Sequence, residues 1–216
     1  MTEAVVVPYN PDWPRRFEAE AKLLERALGP WLFGGVHHVG STAVPGLAAK
    51  PRIDVLLVVA DSAHEPAYVP ALEAAGYVLS VREPDWYEHR VFKGPDTDVN
   101  LHVFSPGCPE IARMLLFRDW VRRDPADRQL YERTKRELAR QNWKYTQNYA
   151  DAKTEVVEEI LARAGRRCAR ERLAAGRSGA ARQRMVTVLP QIVAEALCQT
   201  FRRRRNPFPV TPRRRP

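Results

Sequence analysis

Apolar residues recur at helical spacing just after Asn10-Pro11-Asp12, so Trp13, Phe17, Leu24 and Leu28 share one face of a predicted helix that Gly29-Pro30 stops. The period then shortens. Residues 36–39 predict a short strand, and Ile53-Asp54-Val55-Leu56-Leu57-Val58-Val59 predicts a stronger one, apolar on both faces and therefore interior to a sheet. Residues 66–75 predict a helix ended by Gly76, followed by strands at 77–81, 87–92 and 99–104, with Gly94-Pro95-Asp96 turning the last two into a hairpin. From 110 to 164 the pattern is helical, broken at Asp124-Pro125 and again over 142–148. The predicted class is α+β: a small mixed sheet flanked by helices, with further helices toward the C-terminus.

Charge divides the chain. Its net +9 is carried by residues 166–216, where 14 Arg face only Glu171 and Glu195, leaving 21 Lys and Arg against 24 Asp and Glu in the rest, a net of −3. A domain boundary is therefore expected after Gly165, separating a folded domain (1–165) from an Arg/Pro-rich extension (166–216). That extension has too few apolar residues to offset the entropy of ordering it, so disorder is expected over most of it. Its arginines can attract nucleic acid through counterion release, or simply form a solvated tail. Cys108, Cys168 and Cys198 are far apart, which excludes a zinc knuckle or disulfide framework and fits a reducing, cytoplasmic setting. No apolar run reaches the roughly 18 residues a membrane helix needs, and the first residues do not resemble a signal peptide. Nothing in the sequence indicates an oligomeric state.

The candidate chemistry lies between the two strongest strands. A Gly40-Ser41-Thr42 turn lets backbone approach a phosphate closely while hydroxyl and N–H groups donate to it. The same three residues can equally form a tight turn with a helix cap. Asp54 arrives thirteen residues after Ser41, a carboxylate inside an apolar strand, which is costly unless it meets a cation or hydrogen-bond donors. Arg90 and Arg118 offer planar donor forks suited to anions, although Arg118 can instead pair with Asp119. Tyr131 with Lys135, and Tyr149 with Lys153, each share a helical face. Such a pair can stack a ring and hold a phosphate, or form a helix edge whose lysine stem covers the tyrosine.

The whole run from His38 to Asp54, with Gly40-Ser41-Thr42, Lys50-Pro51 and Asp54 at its centre, resembles the GrpB family, a branch of the nucleotidyltransferase superfamily. Arg90 and Phe92, Leu101-His102, Phe117-Arg118-Asp119, Tyr131 with Lys135 and Tyr149 with Lys153 are similar to its later motifs, so the resemblance covers roughly residues 5 to 165. It implies a nucleotidyltransferase-like fold and a nucleotide or other phosphorylated ligand at Gly40, Ser41, Thr42, Lys50, Arg90, Arg118, Lys135, Tyr149 and Lys153. Mg²⁺ or Mn²⁺ would sit at Asp54, with His38 and His102 as further metal candidates and Asp54 and His102 as catalytic ones.

The chain departs from an active transferase in one respect. A second carboxylate on the face of Asp54 belongs at position 56, and that residue is Leu56. On the third strand the inward position is His102, flanked by Asn100 and Phe104, and it can be a metal ligand, a general base or a core residue. His37 should point the other way from His38. A P-loop kinase is excluded, because no Gly-x-x-x-x-Gly-Lys-Ser/Thr run exists. Two functions remain: a nucleotidyl- or phosphoryl-transfer enzyme, or a binding module on the same fold that lacks catalysis.

Overall fold

The computed structural model of the chain describes residues 5–95, 98–141, 148 and 151–177. Five helices and five strands are the main elements among them: α1 (Trp13–Leu28), β1 (Leu32–Val39), β2 (Ile53–Val59), α2 (Val69–Ala74), β3 (Val78–Glu83), β4 (His89–Lys93), β5 (Val99–Phe104), α3 (Pro109–Arg123), α4 (Pro125–Ala139) and α5 (Thr154–Arg177). The strands form one sheet in the order β1-β2-β5-β4-β3. Only the β2–β5 pair is parallel, so the small mixed sheet expected from the pattern is present. β2 and β5 begin and end where the sequence places them, and β4 and β5 form the expected antiparallel hairpin.

Alternation along the strands gives the sheet two different faces. Val55, Leu57 and Val59 of β2, Leu101 and Val103 of β5 and Phe92 of β4 pack under Trp13, Leu24 and Leu28 of α1 and Leu72 of α2. On the other face Leu56, Val58 and Phe104 meet Ile111 and Leu115 of α3. A third cluster joins Leu116, Trp120 and Val121 of α3, Tyr131 of α4 and Val156, Ile160 and Ala164 of α5 to Val44 and Leu47 of the β1–β2 loop. The break at Asp124-Pro125 works as the sequence suggests: Pro125 opens α4, and the Asp124 carboxylate caps it by accepting from the Asp127 N–H at 3.0 Å. Buried Asp127 then ties the three helices together, accepting from Trp120 Nε1 at 2.7 Å and Arg163 Nε at 2.9 Å.

α5 runs past Gly165 to Arg177, so residues 166–177, assigned above to the extension, are helical. Residues 178–216, most of the break over 142–148 and the candidate Tyr149 lie outside the described residues. No helix among the described residues is long and apolar enough to cross a membrane.

The β1–β2 loop is held by side chains from the helices. Ala48 donates its N–H to Glu132 Oε2 at 3.3 Å, and its carbonyl accepts from the ammonium of Lys135. This corrects one expectation. Lys135 is not an exposed phosphate ligand; it is 2% exposed and lies 4.7 Å from the centre of the Tyr131 ring. Burial, with the charge of Lys153 nearby, pulls its pKa down to about 7. In the unfolded chain the same lysine titrates near 10.4, so between these values the unfolded state binds more protons and stability rises with pH. Raising the pH from 7 to 9 should stabilise the protein against urea by about 2 kcal/mol through this group. Lys135→Met should remove that part of the slope.

Candidate functional site

The site is built on the tight approach of Gly40 to Asp54. Gly40 follows β1 with φ +70°, and a Cβ placed on it would lie 2.4 Å from Asp54 Oδ2. Only glycine tolerates both the left-handed backbone and that distance. Half-buried Ser41 follows, opening a 3-10 turn, Ser41–Ala43, directly beside the carboxylate.

Asp54 faces outward from an otherwise apolar strand because its sheet neighbours are polar. The parallel register sets Asn100 beside Asp54 and His102 beside Leu56. Asn100 Nδ2 donates to Asp54 Oδ1 at 2.9 Å, and His102 Nε2 lies 3.9 Å from the same oxygen. Burial opposes ionisation of Asp54, but His102, Asn100 and the charge of Lys153 outweigh it and hold the pKa below the usual carboxylate value.

Cations surround this single carboxylate. Lys93 Nζ donates to Asn100 Oδ1 at 2.5 Å, and Lys50, Arg52 and Lys153 lie near enough for their charges to act on one another or on Asp54. Burial and then the charges of Lys153 and Arg52 lower the Lys50 pKa. For Lys93 the causes are burial and Arg52. Cations held against mutual repulsion favour an anion between them.

The structure therefore brings Gly40, Ser41, Lys50, Asp54, His102 and Lys153 to one region, and it separates four other candidates from it. His38 pairs with Val55 and so lies on the opposite face from Asp54, stacked on Phe17 with ring centroids 4.6 Å apart. The shared site expected for His38, Asp54 and His102 is thus corrected. Burial and the neighbouring Arg122 hold the His38 pKa at about 4, so its ring is neutral near pH 7. Thr42 is 1% exposed, its hydroxyl donating to the Arg52 carbonyl at 3.2 Å and lying 3.1 Å from His38 Nε2, so it braces the turn and is closed to a ligand. Arg118 donates to the His38 carbonyl at 3.0 Å and to Asp119 at 2.7 Å. Arg90, buried, is committed to Glu65 at 2.6 Å and Glu88 at 3.0 Å. Both arginines position backbone and strands.

Sequence reasoning missed Lys93, Asn100 as a partner, and His89 with Glu83. The signal was available: alternation along β4 puts His89, Val91 and Lys93 on the face opposite Arg90, the face that His102 and Asn100 share. A groove between α3, α4 and α5, lined by Trp120, Asp127, Arg163, Arg166 and Arg170, uses none of these residues.

The donor set does not fit a two-metal clamp. Leu56, where the second carboxylate would stand, is fully buried in the apolar cluster under α3, and the carboxylate that is present lies among lysines. Among the described residues no three His, Cys, Asp or Glu side chains are grouped to hold a metal ion.

The sequence profile described as GrpB protein matches residues 3–163. A UPF0157 protein of Halalkalibacterium halodurans is 59% identical over 159 residues, covering 74% of this chain and 81% of that one. A UPF0157 protein of Streptomyces coelicolor is 44% identical over 157 residues, covering 73% and 82%. The crystal structure of the conserved protein GrpB from Enterococcus faecalis superposes with a TM-score of 0.64 at 31% identity, covering 74% of this chain and 98% of that one.

Leu56→Asp, which would write the missing carboxylate back, should destabilise the fold rather than complete a metal site. Burying an unpaired charge beside Asp54 should cost on the order of 4 kcal/mol in urea unfolding. Isothermal titration should show no gain in Mg²⁺ affinity.

Proposed function

The chain belongs to the GrpB family, and on that premise we propose that it binds a nucleotide or another phosphorylated small molecule over Asp54. Lys50, Arg52, Lys93 and Lys153 supply the cationic wall, and the Gly40-Ser41 backbone supplies the surface a phosphate can approach closely. The observation that carries this reading is the gathering of four cations around one carboxylate at a glycine-bearing turn. Burial first, and then neighbouring cations, lower the Lys50 and Lys93 pKa values, and a phosphate dianion relieves the part that is due to repulsion.

With Leu56 where a metal clamp would need its second acid, and lysines around Asp54, the charge compensation comes from the protein's own cations. A divalent ion then enters as a companion of the nucleotide, without a dedicated protein site. The same wall serves a transferase or a binding module equally well; the two differ in whether bound ligand is turned over.

Thermal unfolding of the full chain with ATP, ADP or inorganic phosphate, each with Mg²⁺ or with EDTA, tests the reading. A ligand at 100 times its Kd should stabilise the native state by about 2.7 kcal/mol, raising Tm by roughly 5–10 °C for a chain of this size. The shift should survive EDTA and shrink strongly in Lys50→Ala and Lys93→Ala. No shift with any phosphate, or a shift indifferent to both substitutions, would overturn the proposal.

A further inference from the structure

On the sheet face that carries Asp54, a strained turn holds two exposed aromatic rings. Residues 84–88 join β3 to β4, and within them Tyr87 and Glu88 take left-handed backbone at φ +57° and +51°. For bulky residues that conformation is costly, and Gly or Asn would make the same turn with less strain. The turn is firmly held all the same. Trp86 N–H donates to the Glu83 carbonyl and His89 N–H to the Trp86 carbonyl, both at 3.1 Å, while Arg90 Nη2 donates to Glu88 Oε2 at 3.0 Å. The turn presents Trp86, 40% exposed, and Tyr87, 49% exposed, with ring centroids 5.8 Å apart and planes inclined at 56°.

A row of side chains links these rings to the cationic site. Trp86 meets His89 edge-on at 5.0 Å and Phe104 at 5.8 Å, which fixes the indole on the Asp54 face of the sheet. His89 Nε2 lies 3.1 Å from His102 Nδ1 with the two rings nearly parallel, at 6°, and His102 Nε2 lies 3.9 Å from Asp54 Oδ1. Val81, Val91 and His102 share one rung of the ladder on this face, and Lys93 and Asn100 share the next rung toward Asp54. α3 covers the face at Leu56, Val58 and Phe104, whereas Val81 is exposed and His102 half-buried. Two strands and four residues separate His89 from Asp54, roughly 16 Å between their α-carbons at ordinary strand spacing and rise. An extended nucleoside triphosphate spans that distance, and a bare phosphate does not.

We propose that Trp86 and Tyr87 form a stacking subsite for the heterocyclic base of the ligand, so that a nucleotide lies with its polyphosphate among Lys50, Arg52, Lys93 and Lys153 and its base against the turn. The inference deepens the phosphate-binding reading and rests on it. Cations at one end of the face and exposed aromatic rings at the other match the two halves of a nucleotide. Stacking works through the π-face that every base has, so the subsite selects for a base without selecting which one. The strain at Tyr87 then has a use. It holds the ring in place before the ligand arrives, so less side-chain freedom is lost on binding.

Isothermal titration of the full chain in EDTA, with ATP and with inorganic triphosphate, separates the base from the charge. ATP should bind at least about tenfold more tightly than triphosphate. Trp86→Ala should remove that preference and leave the triphosphate affinity at its wild-type value, and Trp86→Phe should keep most of it. Tyr87→Asn, which suits left-handed backbone, should leave the Tm of the unliganded chain unchanged or higher while cutting ATP affinity severalfold; a purely structural role for Tyr87 would lower Tm instead. Should Trp86→Ala weaken both ligands together, the ratio of ATP to triphosphate affinity in Tyr87→Asn decides. Equal affinities for the two ligands, or a preference that survives the substitutions, would sink the base subsite and leave phosphate binding standing. Binding of neither ligand would overturn the phosphate reading and the subsite with it. A dimer in sedimentation that Tyr87→Asn dissociates, with the ATP preference unchanged, would assign the two rings to a second copy of the chain and also overturn the subsite.

Discussion

Everything in the candidate site is referred to one close contact: the Asp54 carboxylate against the α-carbon of Gly40. Because no side chain fits there, the chain leaving β1 turns directly over the acid, and Ser41 and the loop leading to Lys50 are carried to the same end of the sheet. The contact would be unfavourable in isolation, since it half-buries a carboxylate. It persists because Asn100 donates to the acid, His102 stands beside it and lysines surround it.

The loop that carries Ser41 and Lys50 would be mobile if only its ends were fixed. Instead, Arg118 and Arg122 of α3 donate to the carbonyls of His38 and Ala43, and Glu132 and Lys135 of α4 hold both backbone groups of Ala48. Residues whose charge suggests ligand contact are thereby spent on keeping a loop rigid. This is preorganisation, with the cost of ordering the loop met during folding rather than during binding.

The same facts explain what was legible in the sequence. Strand period and an apolar run were enough for β2 and β5, and glycine with proline marked the turns, so the order of elements and the position of Asp54 could be read. The phase of single residues was harder. His38 and His37 are adjacent, and which one faces Asp54 depends on the register β1 adopts against β2, where the ladder itself is irregular between Leu32 and Val36. Arg90 drew attention as an anion ligand while its neighbour His89 did not, although alternation places them on opposite faces. Arg118 and Lys135 could not be told from ligands by residue type, because the carbonyls they serve lie 80 and 87 positions away in the chain.

One arrangement bears on how the protein is made. The turn, the acid and the histidine row are complete by residue 104, but the charge that Lys153 places on Asp54 comes from just before α5. A nascent chain still tethered before that point has the sheet and three of the four cations, yet not the finished electrostatic surface. The cationic surface around Asp54 is therefore complete only once the segment leading into the last helix is in place, which makes its assembly a late event in biosynthesis.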